Sequence, residues 1–124
     1  MVFVPCEVVH WHLLPALTAG LTQALAKRKQ SNLQIAKLLG ITPASVSYYL
    51  QGKRGKGVKL SSHVQKNLDA LAASLVKGGP DELLVSGVFC DACKHERAKL
   101  VVCHLHKTTG KAPKNCTVCS VHTC

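Results

Sequence analysis

Four consecutive residues, Gly40-Ile41-Thr42-Pro43, constrain the fold of this 124-residue chain more tightly than any other feature. Glycine enters left-handed backbone angles without a Cβ penalty, so Gly40 after an apolar-periodic stretch reads as a helix stop. Thr42 can accept a backbone N–H at a helix N-terminus. Pro43 suits the first helical position, where a missing N–H costs nothing. Between stop and start, Ile41 anchors the turn in the core. The spacing predicts one short helix over Leu33–Leu39 and another over Pro43–Gln51. Small Ala36 lets the second pack closely on the first, and Val46 and Leu50 face inward with Ile35 and Leu39.

That arrangement leaves Ala44, Ser45, Ser47, Tyr48 and Gln51 on the outer side of the second helix, where they can approach base edges and phosphates in a DNA groove. The exit, Gln51–Lys59 (QGKRGKGVK), is glycine-rich and basic. Its Lys53, Arg54 and Lys56 suit the phosphate contacts that set orientation and salt dependence. Gln34 at the start of the first helix and Thr42 at the cap of the second complete the candidate DNA-binding set. An ordinary helical hairpin accounts for the apolar spacing. It does not account for Ala36, Gly40, Thr42 and Val46 together with a basic exit loop. Double-stranded DNA is therefore the expected partner.

Charge agrees. The formal net charge is +10, and residues 1–60 carry eight basic residues against the single acid Glu7, whereas the remainder carries eight against five acids. Positive potential thus gathers on the part that holds the candidate reader.

The flanking segments read as further helices. Val9, Leu13, Ala16, Leu17, Ala24 and Leu25 trace a helical stripe from Glu7 to about Lys29, with Pro5 at a permitted start and Pro15 expected to kink or divide it. Lys27-Arg28-Lys29 suits the negative end of that helix's dipole. Ser61 or Ser62 can cap a helix running to about Val76, with Val64, Leu68, Leu71, Ala72 and Leu75 on one face. Gly78-Gly79-Pro80 stops it, and Asp81 can cap another that leads toward Cys90. The expected fold is all-α: a helix-turn-helix bundle over residues 1–80, then a small cysteine-rich metal- or cluster-binding module over residues 81–124.

Gln34-Ile35-Ala36 through Ser47-Tyr48-Tyr49-Leu50, followed by Gly52-Lys53-Arg54, resembles the helix-turn-helix of phage-repressor-like (XRE/Cro-type) regulators. The opening Pro5-Cys6-Glu7-Val8-Val9, with Leu14-Pro15-Ala16, is similar more narrowly to an archaeal group of regulators that joins this motif to downstream cysteines. Related N-terminal domains also occur fused to enzymes. The resemblance spans about residues 1–100 and does not reach Cys116 and beyond. It implies a transcriptional regulator. Groove readers of this type work as homodimers on paired half-sites, with the helices around Ser62–Leu84 as the expected dimer surface.

Six of the seven cysteines fall in Cys90–Cys124. Two CxxC pairs, Cys90/Cys93 and Cys116/Cys119, suit tetrahedral thiolate coordination. On a helix, Cys90 and Cys93 share a face, and Lys94, Arg97 and Lys99 nearby would offset thiolate charge. Two ligand sets stay open. One is Cys90, Cys93, Cys116 and Cys119, a zinc-ribbon-like and mainly structural arrangement. The other, which the archaeal resemblance implies, is Cys90, Cys93 and Cys103 with Cys6 as the distant fourth ligand. Cys116, Cys119 and Cys124 would then be spare thiols, a second partial site or a redox pair. Thiolates serve an iron–sulfur cluster (4Fe–4S or 2Fe–2S), the expectation here, or zinc, the alternative. His104 and His106 could replace a missing thiolate but read better as solvated or supporting donors. His10 and His12, two apart, share no helical face, and His63 and His122 carry no signal.

Met1–His12 lacks a basic start and a long apolar run, and no apolar run reaches membrane-spanning length, so a cytoplasmic location without membrane association is expected. No glycine-rich phosphate cradle or paired carboxylates are present, so an enzyme is not expected. The expectation is a sequence-specific DNA-binding regulator whose affinity is modulated by a cysteine-ligated iron–sulfur cluster. The alternative is a zinc-stabilised nucleic-acid-binding adaptor with no sensing role.

Overall fold

The computed structural model describes residues 12–54 and 59–98, and over these the chain is helical, with no strand. Five helices follow in order: α1 (Leu14–Lys27), α2 (Asn32–Leu39), α3 (Pro43–Leu50), α4 (Ser62–Gly78) and α5 (Glu82–Ala98). The all-α expectation holds for these residues. The segments expected to hold Pro5, Cys6 and the cysteines from Cys103 onward lie outside them.

A leucine spine organises the core. Leu13, Leu17, Leu21 and Leu25, four residues apart, are all fully buried, and each contributes about 1.5–3 kcal/mol of burial free energy. The stripe packs mainly on α4, through Val64, Leu68, Leu71, Ala72 and Leu75, and also on α2 and α3. Gly20 permits the close approach of α1 to α4, because a Cβ there would stand 2.9 Å from Leu68 Cδ1. Helical backbone at His12 and Leu13 precedes Pro15, and the stretch from Glu7 over which a kink or division was expected lies mostly outside the described residues. Pro15 occupies the first turn of α1, where its absent N–H leaves no gap in the hydrogen-bond ladder. Within α1 the hydroxyls of Thr18 and Thr22 donate to the carbonyls of Leu14 and Thr18, at 2.9 and 2.7 Å. This bond lets Thr22 be fully buried without an unpaired polar group.

Helix ends follow local chemistry. Ser31 caps α2 by accepting the Gln34 N–H, while Gln34 Oε1 accepts the Ser31 N–H at 2.8 Å, a reciprocal capping box. Ser61, of the two serines considered, caps α4 by accepting from Val64 N–H. Asp81 Oδ1 accepts from Leu84 N–H at 3.0 Å at the start of α5, as expected. Gly79 closes α4 at φ 82°. At the end of α1, however, the left-handed position is taken by Lys29, at φ 63°. Gln30 N–H donates to the Leu25 carbonyl and Lys29 N–H to Ala26, at 3.3 and 3.0 Å, the closing bonds of a Schellman motif.

α5 packs on α4 and joins the same core: Ala92 is buried, and Val85, Val88, Phe89 and Cys93 pack partly against it. The outer face of α5 leaves Leu83 86% exposed. Among the described residues no helix is long and apolar enough to cross a membrane.

Candidate nucleic-acid interface

The turn between α2 and α3 is built as its sequence predicts. Gly40 stands at φ 67°, ψ 30°, and the Ile41 N–H reaches back to the Ala36 carbonyl at 3.1 Å. Thr42 Oγ1 accepts the Ser45 N–H at 3.1 Å, and Pro43 opens α3. Ile35 and Val46 are fully buried and Ala36 nearly so, while Leu39, Ile41 and Leu50 pack partly against the core. The two short helices are therefore held by both capping and burial. Neither is long enough to persist alone.

On the outside of α3, Ala44, Tyr48 and Gln51 are exposed, and Ser45 and Ser47 half-buried. They form a connected polar surface. Thr42 Oγ1 donates to Ser45 Oγ at 3.0 Å, and Gln51 Nε2 donates to Ser47 Oγ at 3.0 Å. At the far end of α3, Gly52 takes φ 74°, Gly52 N–H donates to the Tyr49 carbonyl, and Lys53 N–H donates to Tyr48 at 2.9 Å. This is a second Schellman closure, and it turns the chain back along the helix. As a result Lys53 Nζ lies 5.6 Å and Arg54 Cζ 5.2 Å from the centre of the Tyr48 ring. Both fall within cation–π reach, worth about 0.5–1 kcal/mol at an exposed site. Arg54 also donates to Ser45 Oγ at 3.4 Å. Two cations are thus fixed beside the helix face that carries the polar residues. Lys56 lies outside the described residues.

Charge around this face is of one sign. Between Glu7 and Asp69 the chain contains no Asp or Glu, so nothing on α2, α3 or the segment joining them competes with an anionic partner for Lys53 and Arg54. Gln34 is exposed, but its carbonyl oxygen is held by the capping box, which leaves the amide N–H groups for an outside acceptor. Ser31, which completes that box, was not among the expected site residues. Its signal was available as Ser-x-x-Gln ahead of an apolar stretch.

Cys90 and Cys93 both lie on α5, which runs past the Cys90 region to Ala98, with Cys90 exposed and Cys93 half-buried against the core. Their i, i+3 spacing lets two thiolates reach one metal, and a tetrahedral site needs two donors more. Cys6, Cys103, Cys116 and Cys119, which complete the two expected ligand sets, lie outside the described residues. Among the described residues no three His, Cys, Asp or Glu side chains group as a metal site.

One polar cluster was not foreseen. Glu96 on α5 is fully buried, and its Oε1 accepts the N–H of Ser61, the residue that caps α4, at 3.2 Å. Glu96 Oε2 and His95 Nε2 are buried with no hydrogen-bond partner among the described residues. The His95 ring stacks on His63 of α4, with centroids 4.5 Å apart, and His63 Nε2 contacts Asn67 Nδ2 at 3.3 Å. This junction ties the cysteine-bearing helix to the start of α4, a few residues after the basic loop.

Compared with protein-family models, with curated proteins and with solved structures, the chain matches none.

Proposed function

We propose that the chain is a sequence-specific DNA-binding regulator that sets α3 in the major groove of double-stranded DNA. The observation that carries this reading is the Gly40-capped α2–α3 pair. Its outer face presents Ala44, Ser47, Tyr48 and Gln51, with Lys53 and Arg54 folded back beside them. Gln51 and Ser47 supply donors and acceptors suited to base edges, and the two cations supply phosphate contacts. A homodimer on paired half-sites belongs to the proposal, as does XRE/Cro-type kinship.

The proposal extends to a cysteine-ligated iron–sulfur cluster, held in part by Cys90 and Cys93, that shifts DNA affinity. Supporting it is the contact of Glu96 with Ser61, which joins the helix bearing both cysteines to the end of the segment carrying the basic loop. A cluster that favours one placement of α5 would bias that segment, which is linkage between two sites.

Selection of duplexes from a randomised library by the full chain tests the first part. Enrichment of a two-fold-related sequence is expected. Gln51→Ala should relax the preference at one base position by about 1–3 kcal/mol. Arg54→Ala should weaken all duplexes alike and reduce the slope of log K against log salt by about one. Flat affinity across the library refutes sequence reading and leaves the adaptor. For the second part, metal and acid-labile sulfide are measured on anaerobically purified protein, and affinity for the selected duplex before and after chelation. Zinc without sulfide, or unchanged affinity, overturns the sensing role.

A further inference from the structure

Away from the α3 face, α1 and α4 border an open cleft of about 580 Å³, within the range of small-molecule sites. Its apolar lining comes from Ala16, Ala19 and Ala24 of α1, with Leu60 and Leu68 opposite. The amides of Gln23 and Gln65 and the first residue of α4, Ser62, add polar groups. Around the rim stand Lys27, Lys59 and Lys66, all exposed. Among the described residues no carboxylate pairs with any of the three. The cleft's one acid, Asp69, is engaged by Arg28, whose Nη2 lies 3.4 Å from its Oδ2. A cleft lined about equally by apolar and polar surface, with three lysines among its lining residues and no described carboxylate paired to them, has a defined chemical complement.

We propose that this cleft binds an amphipathic organic anion, a carboxylate, sulfonate or phosphate ester on an apolar body. The apolar body lies along the cleft over the α1 alanines and Leu60. The anionic head meets Lys27, Lys59 and Lys66, near the N-terminal turn of α4, whose dipole favours negative charge. A DNA phosphate would satisfy the lysines but would leave the apolar lining unfilled, so a small amphiphile is the better match. The cleft shares no residue with the α3 face, although Lys59 ends the basic loop, and its test needs no DNA reading to be correct.

The full chain is titrated with 1-anilinonaphthalene-8-sulfonate and with its uncharged analogue N-phenyl-1-naphthylamine, with inorganic phosphate as competitor. Saturable binding of one sulfonate dye per chain is expected, at least about tenfold tighter than the uncharged analogue. The variant Lys27→Gln/Lys66→Gln should lower the affinity of the sulfonate about tenfold, leave the uncharged dye unchanged and keep its thermal midpoint. On the unsubstituted protein, dye addition should shift the amide resonances of Ala19, Gly20 and Leu68, a readout independent of any variant. Wild-type affinity in the double variant overturns the proposal. So does binding that leaves those resonances in place, as at the exposed Leu83 face. Displacement of the dye by a short DNA duplex in a lysine-dependent manner overturns it as well, and assigns the rim to nucleic acid.

Discussion

Gly40→Ala is the substitution whose energetic origin the structure isolates most cleanly. Gly40 stands at φ 67°, and a Cβ built there meets no atom within 4 Å. Sterics against neighbours therefore contribute nothing, and the cost is that of holding an L-residue in the left-handed region. That cost is about 1–2 kcal/mol. It is partly offset because alanine loses less backbone entropy on folding than glycine, an effect of about 0.4–1 kcal/mol. The net expected loss is about 1 kcal/mol. For a domain of this size it lowers the thermal midpoint by about 3–6 °C. Gly40→Asn, whose side chain tolerates this region, should lose less than half as much. Urea unfolding followed by circular dichroism at 222 nm supplies the free energies, and the slope against urea should not change. The selected duplex should bind both variants as it binds the parent at temperatures where all are folded, because the Ile41-to-Ala36 bond and the Thr42 cap remain. A loss above about 3 kcal/mol would mean that Gly40 is packed rather than open. No loss at all would mean that α2 does not end in a left-handed residue. Either result refutes the turn as described.

Two further substitutions probe features that local sequence does not advertise. Lys29→Gly replaces a lysine at φ 63° with the residue that position favours. Relief of the left-handed penalty, less the entropy glycine adds to the unfolded chain, should raise stability by about 0.5 kcal/mol in the same urea assay; a loss would show that the lysine side chain holds the α1–α2 corner. Glu96→Ala removes the acceptor of the Ser61 N–H from a fully buried position, for an expected cost of about 1–3 kcal/mol. Glu96→Gln keeps an acceptor in place and should cost less than half of that, so equal losses would rule out the hydrogen bond as the stabilising element.

How much of this protein its sequence determined divides along the range of the forces involved. Helix stops and starts at Gly40, Thr42-Pro43, Gly79 and Asp81 were legible, because a cap or a left-handed turn is settled by two to six neighbouring residues. The inward set on α2 and α3 was legible for the same reason: a period of 3.6 residues fixes a face before any partner arrives. The capping box of Ser31 and Gln34 was equally legible, and only the glutamine was singled out. Pro15 marked a helix boundary in sequence, and the α-helix begins at its neighbour Leu14.

Tertiary structure decided the rest. Leu33 and Ile35 are both apolar and two residues apart, yet one is 64% exposed and the other fully buried, because α1 packs on only one side of the α2–α3 pair. Glu96 would be placed on a surface by its residue type alone; the N-terminus of α4 draws it inside by offering the Ser61 N–H. Lys53 and Arg54 were expected to touch phosphates, but their seating over Tyr48 depends on the reversal at Gly52. The alanines of α1 and the lysines Lys59 and Lys66 lie far apart along the chain, and only the packing of α1 on α4 gathers them into one cleft. Sequence set where each helix begins and ends through short-range hydrogen bonds. Burial and charge placement belong to the assembled bundle, because they depend on residues that are distant in the chain and adjacent in space.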